Sequence, residues 1–264
     1  MMGFHTMDLA LADKCALVTE SYRGTGMIIA QRLANEGARV FIHGLQSGQA
    51  EAAIAELGSG EPVTSDIATD EGADALATQL TGKNVDILVN NYGTADSGSW
   101  TKSDTQDWLL AYHKNALSAQ RMIKHLLPGM QQRGWGRIIN LGTVGSTRPN
   151  SRNPAYYAAK GALATMTVSL AKEVAGTPVR VNLVSPGVIL TPEVKAAYIE
   201  RGRRKGWGST WDEIEPFVAQ DIPIGRITSR EEVASLVAFL ASPLADAIHG
   251  QNIKIDGGAL DIVS

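Results

Sequence analysis

Cysteine occurs once in this chain, at Cys15 within the apolar run Cys15-Ala16-Leu17-Val18. A single thiol supports no disulfide framework, and its apolar setting predicts a small buried core residue and a reducing, cytoplasmic environment. With no second Cys, and with the five His scattered at positions 5, 43, 113, 125 and 249, no metal site is expected. No run reaches the roughly 18 apolar residues of a membrane span, and residues 1–13 lack the basic start and apolar stretch of a secretory leader. Neither sign of charge dominates. A net charge of -3 leaves no electrostatic footprint for nucleic acid or an anionic membrane. Repeats, low-complexity tracts and interdomain linkers are also missing.

What is present suits one large α/β domain: 264 residues, 44% of them hydrophobic and 19% charged. Short apolar runs at 14–19, 39–43, 63–64, 85–90, 137–141, 179–184 and 252–255 read as strands. Helical periodicity lies between them at 26–36, 49–57, 70–80, 104–132, 155–174 and 230–240. Strands this short and nearly continuously apolar belong to a parallel sheet covered on both faces. The expected fold is therefore a single Rossmann-type, doubly wound domain over residues 1–264, with about seven strands. The stretch 191–220 is long for a connection and reads as a substrate-loop insertion with lid character. It carries Arg201, Arg203, Arg204 and Lys205 beside Trp207 and Trp211. The basic residues read as a solvated face or as a contact for an anionic, phosphate-bearing substrate. The two tryptophans read as the cover of a roomy, apolar pocket.

Chemistry concentrates at strand ends. After the first strand comes Thr19-Glu20-Ser21-Tyr22-Arg23-Gly24-Thr25-Gly26, opening straight into a helix. Such a turn offers free amides, a helix dipole and close backbone approach, which suit a pyrophosphate. Asp66, followed by Ile67, ends the third strand and Asn90-Asn91-Tyr92-Gly93 ends the fourth, where open α/β sheets place their ligands. Further on, Tyr156 precedes Lys160 by one helical turn, and Thr143 lies thirteen residues upstream of the tyrosine. An isolated Tyr and Lys at that spacing form an ordinary surface pair. As an acid/base pair they require the phenol to fall from about 10 toward neutrality. A cation about 5 Å away, at an effective dielectric of about 20, contributes roughly 3 kcal/mol, which is about the size needed.

Taken together and in this order, the motifs resemble the short-chain dehydrogenase/reductase family, in its 3-oxoacyl-reductase-like branch, over essentially the whole chain. The resemblance implies an NAD(P)-dependent oxidoreductase moving hydride between a nicotinamide and a secondary alcohol or ketone. It places the cofactor on Thr19, Glu20, Ser21, Tyr22, Arg23, Gly24, Thr25 and Gly26, on Asp66 and Ile67, and on Asn91 and Gly93. Tyr156, Lys160, Pro186, Gly187 and Thr191 complete that set, and Asp256-Gly257-Gly258 resembles the family's C-terminal signature. It gives Tyr156 the proton, Thr143 a hydrogen bond to the same substrate oxygen, and Lys160 the lowering of the phenol. Asn115 would hold a kink in the long fourth helix and a proton-relaying water. Homotetramers or homodimers through the fourth and fifth helices are implied as well.

Three positions depart from the family pattern. Glu20 replaces the turn's first glycine, where a carboxylate would accept from ribose hydroxyls, point away, or weaken binding if the backbone needs φ > 0. Thr143 replaces serine, keeping the hydroxyl but adding a methyl. Tyr92 replaces a small alanine and reads as packing. The second strand ends in His43-Gly44-Leu45-Gln46 without the acid that would mark NAD, while Arg23 suits a 2'-phosphate. NADP is favoured, with NAD as the alternative. A protein that kept the fold as a non-catalytic nucleotide sensor is the competing function.

Overall fold

A computed structural model describes residues 7–96 and 98–262; His5, among the histidines considered above, lies outside them. The sheet comprises β1 (Cys15–Val18), β2 (Arg39–Gly44), β3 (Glu61–Thr64), β4 (Ile87–Asn90), β5 (Gly136–Leu141), β6 (Val179–Pro186) and β7 (Asn252–Ile255). All neighbours pair in parallel in the order β3-β2-β1-β4-β5-β6-β7. Strand order reverses between β1 and β4, which opens a crevice at their carboxyl ends.

Alternation along each strand builds two cores. Ala16, Val18, Val40, Ile42, Ile87, Val89 and Ile139 face a layer with Leu33 of α1 (Gly24–Asn35) and Val237 of α9 (Arg230–Ala241). Leu17, Phe41, Leu88, Ile138 and Val181 face the other, with Leu76 of α3 (Asp70–Gln79) and Met122 and Met130 of α5 (Ser118–Arg133). Tyr92 joins this second core, so the ring fills space that alanine would leave open. Cys15 is buried there too.

The remaining helices are α2 (Gln49–Leu57), α4 (Thr105–Tyr112), α6 (Pro154–Glu173), α7 (Pro192–Lys205) and α8 (Trp211–Val218). The long helix expected over 104–132 is divided: α4 passes into a π turn, His113–Leu117, before α5 begins. The stretch read as an irregular insertion is mostly helical. Thr191 caps α7 through Val194 N–H at 3.3 Å, Pro192 suits its first turn, and Gly206 ends it at φ +72°. A capping box of Thr210 and Glu213 then starts α8. Trp211 is buried, and Trp207 stacks on Phe217 at 5.3 Å while lying under Arg201 and Lys205. Both rings are spent inside the α7–α8 pair. Among the described residues no helix is long and apolar enough to cross a membrane.

Candidate active site

The crevice between β1 and β4 is tied together by Thr19. Its hydroxyl accepts the N–H groups of Asn91 (3.0 Å) and Tyr92 (2.9 Å) and donates to Val89 O (3.4 Å). Asn91 returns its amide to Thr19 O at 2.9 Å. Ser21 accepts His43 N–H, which pins the turn to β2, and Asp66 accepts Ala68 N–H in its own turn. Ile67 is fully buried behind it. Two glycines are required by space. A Cβ on Gly26 would sit 2.4 Å from the Asn91 amide, and one on Gly93 would sit 2.4 Å from Asn115 Oδ1 and 3.0 Å from Lys160 Nζ. Gly24, at φ +60°, has open space before it. Thr25 and Gly26 follow it in the first turn of α1. Pro186 closes β6, Gly187 packs on Asp256, and Thr191 is committed to the α7 cap.

Glu20 adopts φ +51°, the left-handed region that glycine occupies freely and a glutamate only under strain. His43 stabilises this conformation: its Nδ1 accepts Glu20 N–H at 2.9 Å while its Nε2 meets Ser65 O at 2.9 Å. The imidazole is completely buried and burial pushes it down to about 4, so it stays neutral. Of the orientations considered for Glu20, the carboxylate does not turn out to solvent. It crosses the crevice, accepting Arg23 Nη2 at 2.8 Å and Gly93 N–H at 3.3 Å. Arg23, read from sequence as a phosphate ligand, is thus held in an ion pair.

On α6, Tyr156 and Lys160 share one face. The Tyr156 hydroxyl stands on the side of Thr143, which lies just past β5, lowers the phenol's pKa and receives Gly145 N–H. Tyr157 is directed elsewhere: its ring packs on Gly145, where a Cβ would lie 2.0 Å away, and its hydroxyl accepts from Asn150. The phenol differs from the sequence expectation. Burial, with Tyr157 adding to it, pushes Tyr156 up to about 12, and Thr143 opposes only part of this. Lys160 donates to Leu141 O at 2.7 Å instead, and burial pushes its amine down to about 8 against the pull of the Glu20 carboxylate. In this state desolvation outweighs a cation turned to a backbone carbonyl.

Asn115 sits at the centre of the π turn and donates to Thr94 O (3.1 Å) and Ala111 O (3.0 Å). Its Oδ1 is buried without a partner among the described residues and faces Gly93 and Lys160. A nearby polar relay was not read from sequence: Asn90 donates to Asn140, and Asn140 to Thr167, each at 2.8 Å, beneath the crevice. Nothing in Asn90 or His43 alone signals these roles, because both depend on partners distant in the chain. A small recess beside Tyr156 is lined by Thr94, Asp96, Asp107, Leu110 and Asn153.

Comparison with known proteins places this geometry among relatives. Residues 20–259 match the family described as enoyl-(acyl carrier protein) reductase. The chain is 36% identical to the 3-oxoacyl-(acyl-carrier-protein) reductase of Vibrio cholerae, covering 94% of this chain and 98% of that protein. Among solved structures, L-sorbose reductase from Gluconobacter frateurii, complexed with NADPH and L-sorbose, matches at a TM-score of 0.89 and 32% identity. That match covers 97% of this chain and 100% of the other. A 3-oxoacyl (acyl-carrier-protein) reductase from Agrobacterium tumefaciens with NADP bound matches at 0.85 and 28% identity, covering 95% of each.

Proposed function

The chain belongs to the short-chain dehydrogenase/reductase family as an NAD(P)-dependent oxidoreductase of secondary alcohols and ketones, and from that premise we propose that it reduces a 3-oxoacyl-type ketone with NADPH. The observation that carries this is the meeting of Tyr156 on α6 with Thr143 at the carboxyl edge of β5, with the buried Lys160 one turn along the same helix.

The residues fit a dinucleotide. Gly24 leaves open space before a helix N-terminus with no acid in its first turn, and the orphaned Asn115 Oδ1 lies beside the buried Lys160 amine. Thr19 to Gly26, Asp66, Ile67, Asn91, Gly93, Tyr156, Lys160, Pro186, Gly187 and Thr191 would hold it. When bound, the nicotinamide supplies the hydride. Negative charge then develops on the substrate oxygen, and a phenol that keeps its proton at neutral pH is set to donate it there. Thr143 donates to the same oxygen and fixes its distance from the phenol. Lys160, near 8, is cationic or neutral across the working pH range and can return a proton toward Tyr156. Asn115 Oδ1 supplies an acceptor on that route.

The support for NADPH over NADH is the absence of an acid after β2, the Arg23 guanidinium at the turn, and NADP(H) in the related structures. The test is turnover on a panel of 3-oxoacyl thioesters, free 3-oxo acids and polyhydroxy ketones with each cofactor. The reading requires NADPH oxidation with thioesters favoured. No oxidation with any ketone, despite cofactor binding, would leave a nucleotide-binding protein in place of an enzyme.

A further inference from the structure

The Glu20 carboxylate is an anion already seated at the mouth of the phosphate turn. Three anchors fix it there. Its backbone N–H is held by His43, its carbonyl oxygen accepts the Asn91 amide at 3.3 Å, and its two carboxylate oxygens divide between Arg23 and Gly93 N–H. Glu20 is 6% exposed, while the Arg23 side chain is 58% exposed. The acid is built into the crevice and the guanidinium reaches it from the rim. The two Arg23 bonds, from Nη2 at 2.8 Å and Nε at 3.3 Å, fall on one carboxylate oxygen.

An incoming dinucleotide meets this arrangement twice. Its phosphates approach a fixed negative charge, and any phosphate that needs the guanidinium has to draw it from Glu20. Beyond β2, the run Gly44-Leu45-Gln46-Ser47 provides neither acid nor base. Arg23 is therefore the group available to the extra phosphate that separates NADPH from NADH, and the two cofactors depend on it unequally. We infer that Glu20 is a specificity-determining residue that competes with the NADPH phosphate for Arg23 and so narrows the preference of this chain for NADPH over NADH. This rests on the reading of the chain as an NAD(P)-dependent oxidoreductase.

The test is equilibrium titration of NADPH and of NADH, each followed by cofactor fluorescence, into the wild type, Glu20→Gln, Arg23→Ala and the double variant. Glu20→Gly is the second probe, since glycine accepts the turn's φ without strain. Glu20→Gln and Glu20→Gly are expected to tighten NADPH about 5-fold and NADH less than about 2-fold, an exposed-pair-sized effect. In the Arg23→Ala background the gain disappears, because no guanidinium remains to be freed. Unchanged ratios of NADPH to NADH affinity, or weaker binding of both, would overturn the role of Glu20 and leave the oxidoreductase reading intact. Failure of the wild type and every variant to bind either dinucleotide would sink that reading and this inference with it.

Discussion

His43 shows how a residue with no catalytic chemistry can set a site. Both ring nitrogens are engaged, one accepting the Glu20 N–H and the other paired to Ser65 O, so the neutral form is built into the turn. Its folded value of about 4 lies below the ordinary 6.5. As pH falls through that interval the unfolded chain takes up the proton first, so stability is lost between 6.5 and 4 and is unaffected above it. The loss is roughly 3 kcal/mol for a fully buried imidazole. Urea unfolding at about pH 7 and about pH 4.5 is expected to show it in the wild type. His43→Asn, which keeps an acceptor for Glu20 N–H, is expected to show a smaller loss. An equal loss in the variant would remove His43 from the account. That Tyr156 and Lys160 share one helix face could be read from their spacing, whereas the phenol's environment could not. Its upward displacement comes from burial and from Lys160 turning to Leu141 O, neither of which is encoded in the interval of four residues.

Among the elements, β1, β2, β4, β5 and β6 are legible because each is a short, mostly apolar run rich in Val, Ile and Leu; Asn140 and Asn182 interrupt β5 and β6 without hiding them. The β3 strand, Glu61–Thr64, is harder, since it stands at the sheet edge and only Val63 is buried. Division of the long helix at His113–Leu117 is not legible in the apolar periodicity of 104–132, which reads as one continuous helix. The kink follows instead from the Asn115 amide, which reaches both Ala111 O and Thr94 O. Residues 192–218 read as irregular because charged and aromatic side chains are interleaved in them. Yet their caps are ordinary ones: Thr191-Pro192 at one end, Gly206 between the helices, and Thr210 with Glu213 after it. Reading those caps ahead of the periodicity would recover both helices.

For the whole molecule, part of the exposed apolar surface lies on the helices expected to pair copies of the chain. Leu109 and Leu110 of α4 and Val168 of α6 are about half exposed, and the exposed Trp100 tilts against Trp108 at 5.3 Å. Ile123, Leu127, Met166 and Leu170 line a groove between α5 and α6. The expectation of a homotetramer or homodimer through these helices is open to a direct test. Light scattering is expected to give a mass that is a multiple of 28.1 kDa, and the double variant Leu109→Asp, Leu110→Asp a lower one. A monomeric wild type would refute pairing through these faces.

At the active crevice the central claim is that Tyr156 carries the proton. The direct measurement compares kcat and the NADPH dissociation constant of the wild type with those of Tyr156→Phe, on the ketone the wild type reduces best. The account predicts a loss of about 1000-fold in kcat, the middle of the range for a positioned general acid, with NADPH affinity held within about 3-fold. A variant that retains turnover within about 10-fold of the wild type would contradict it, because the proton would then come from another group.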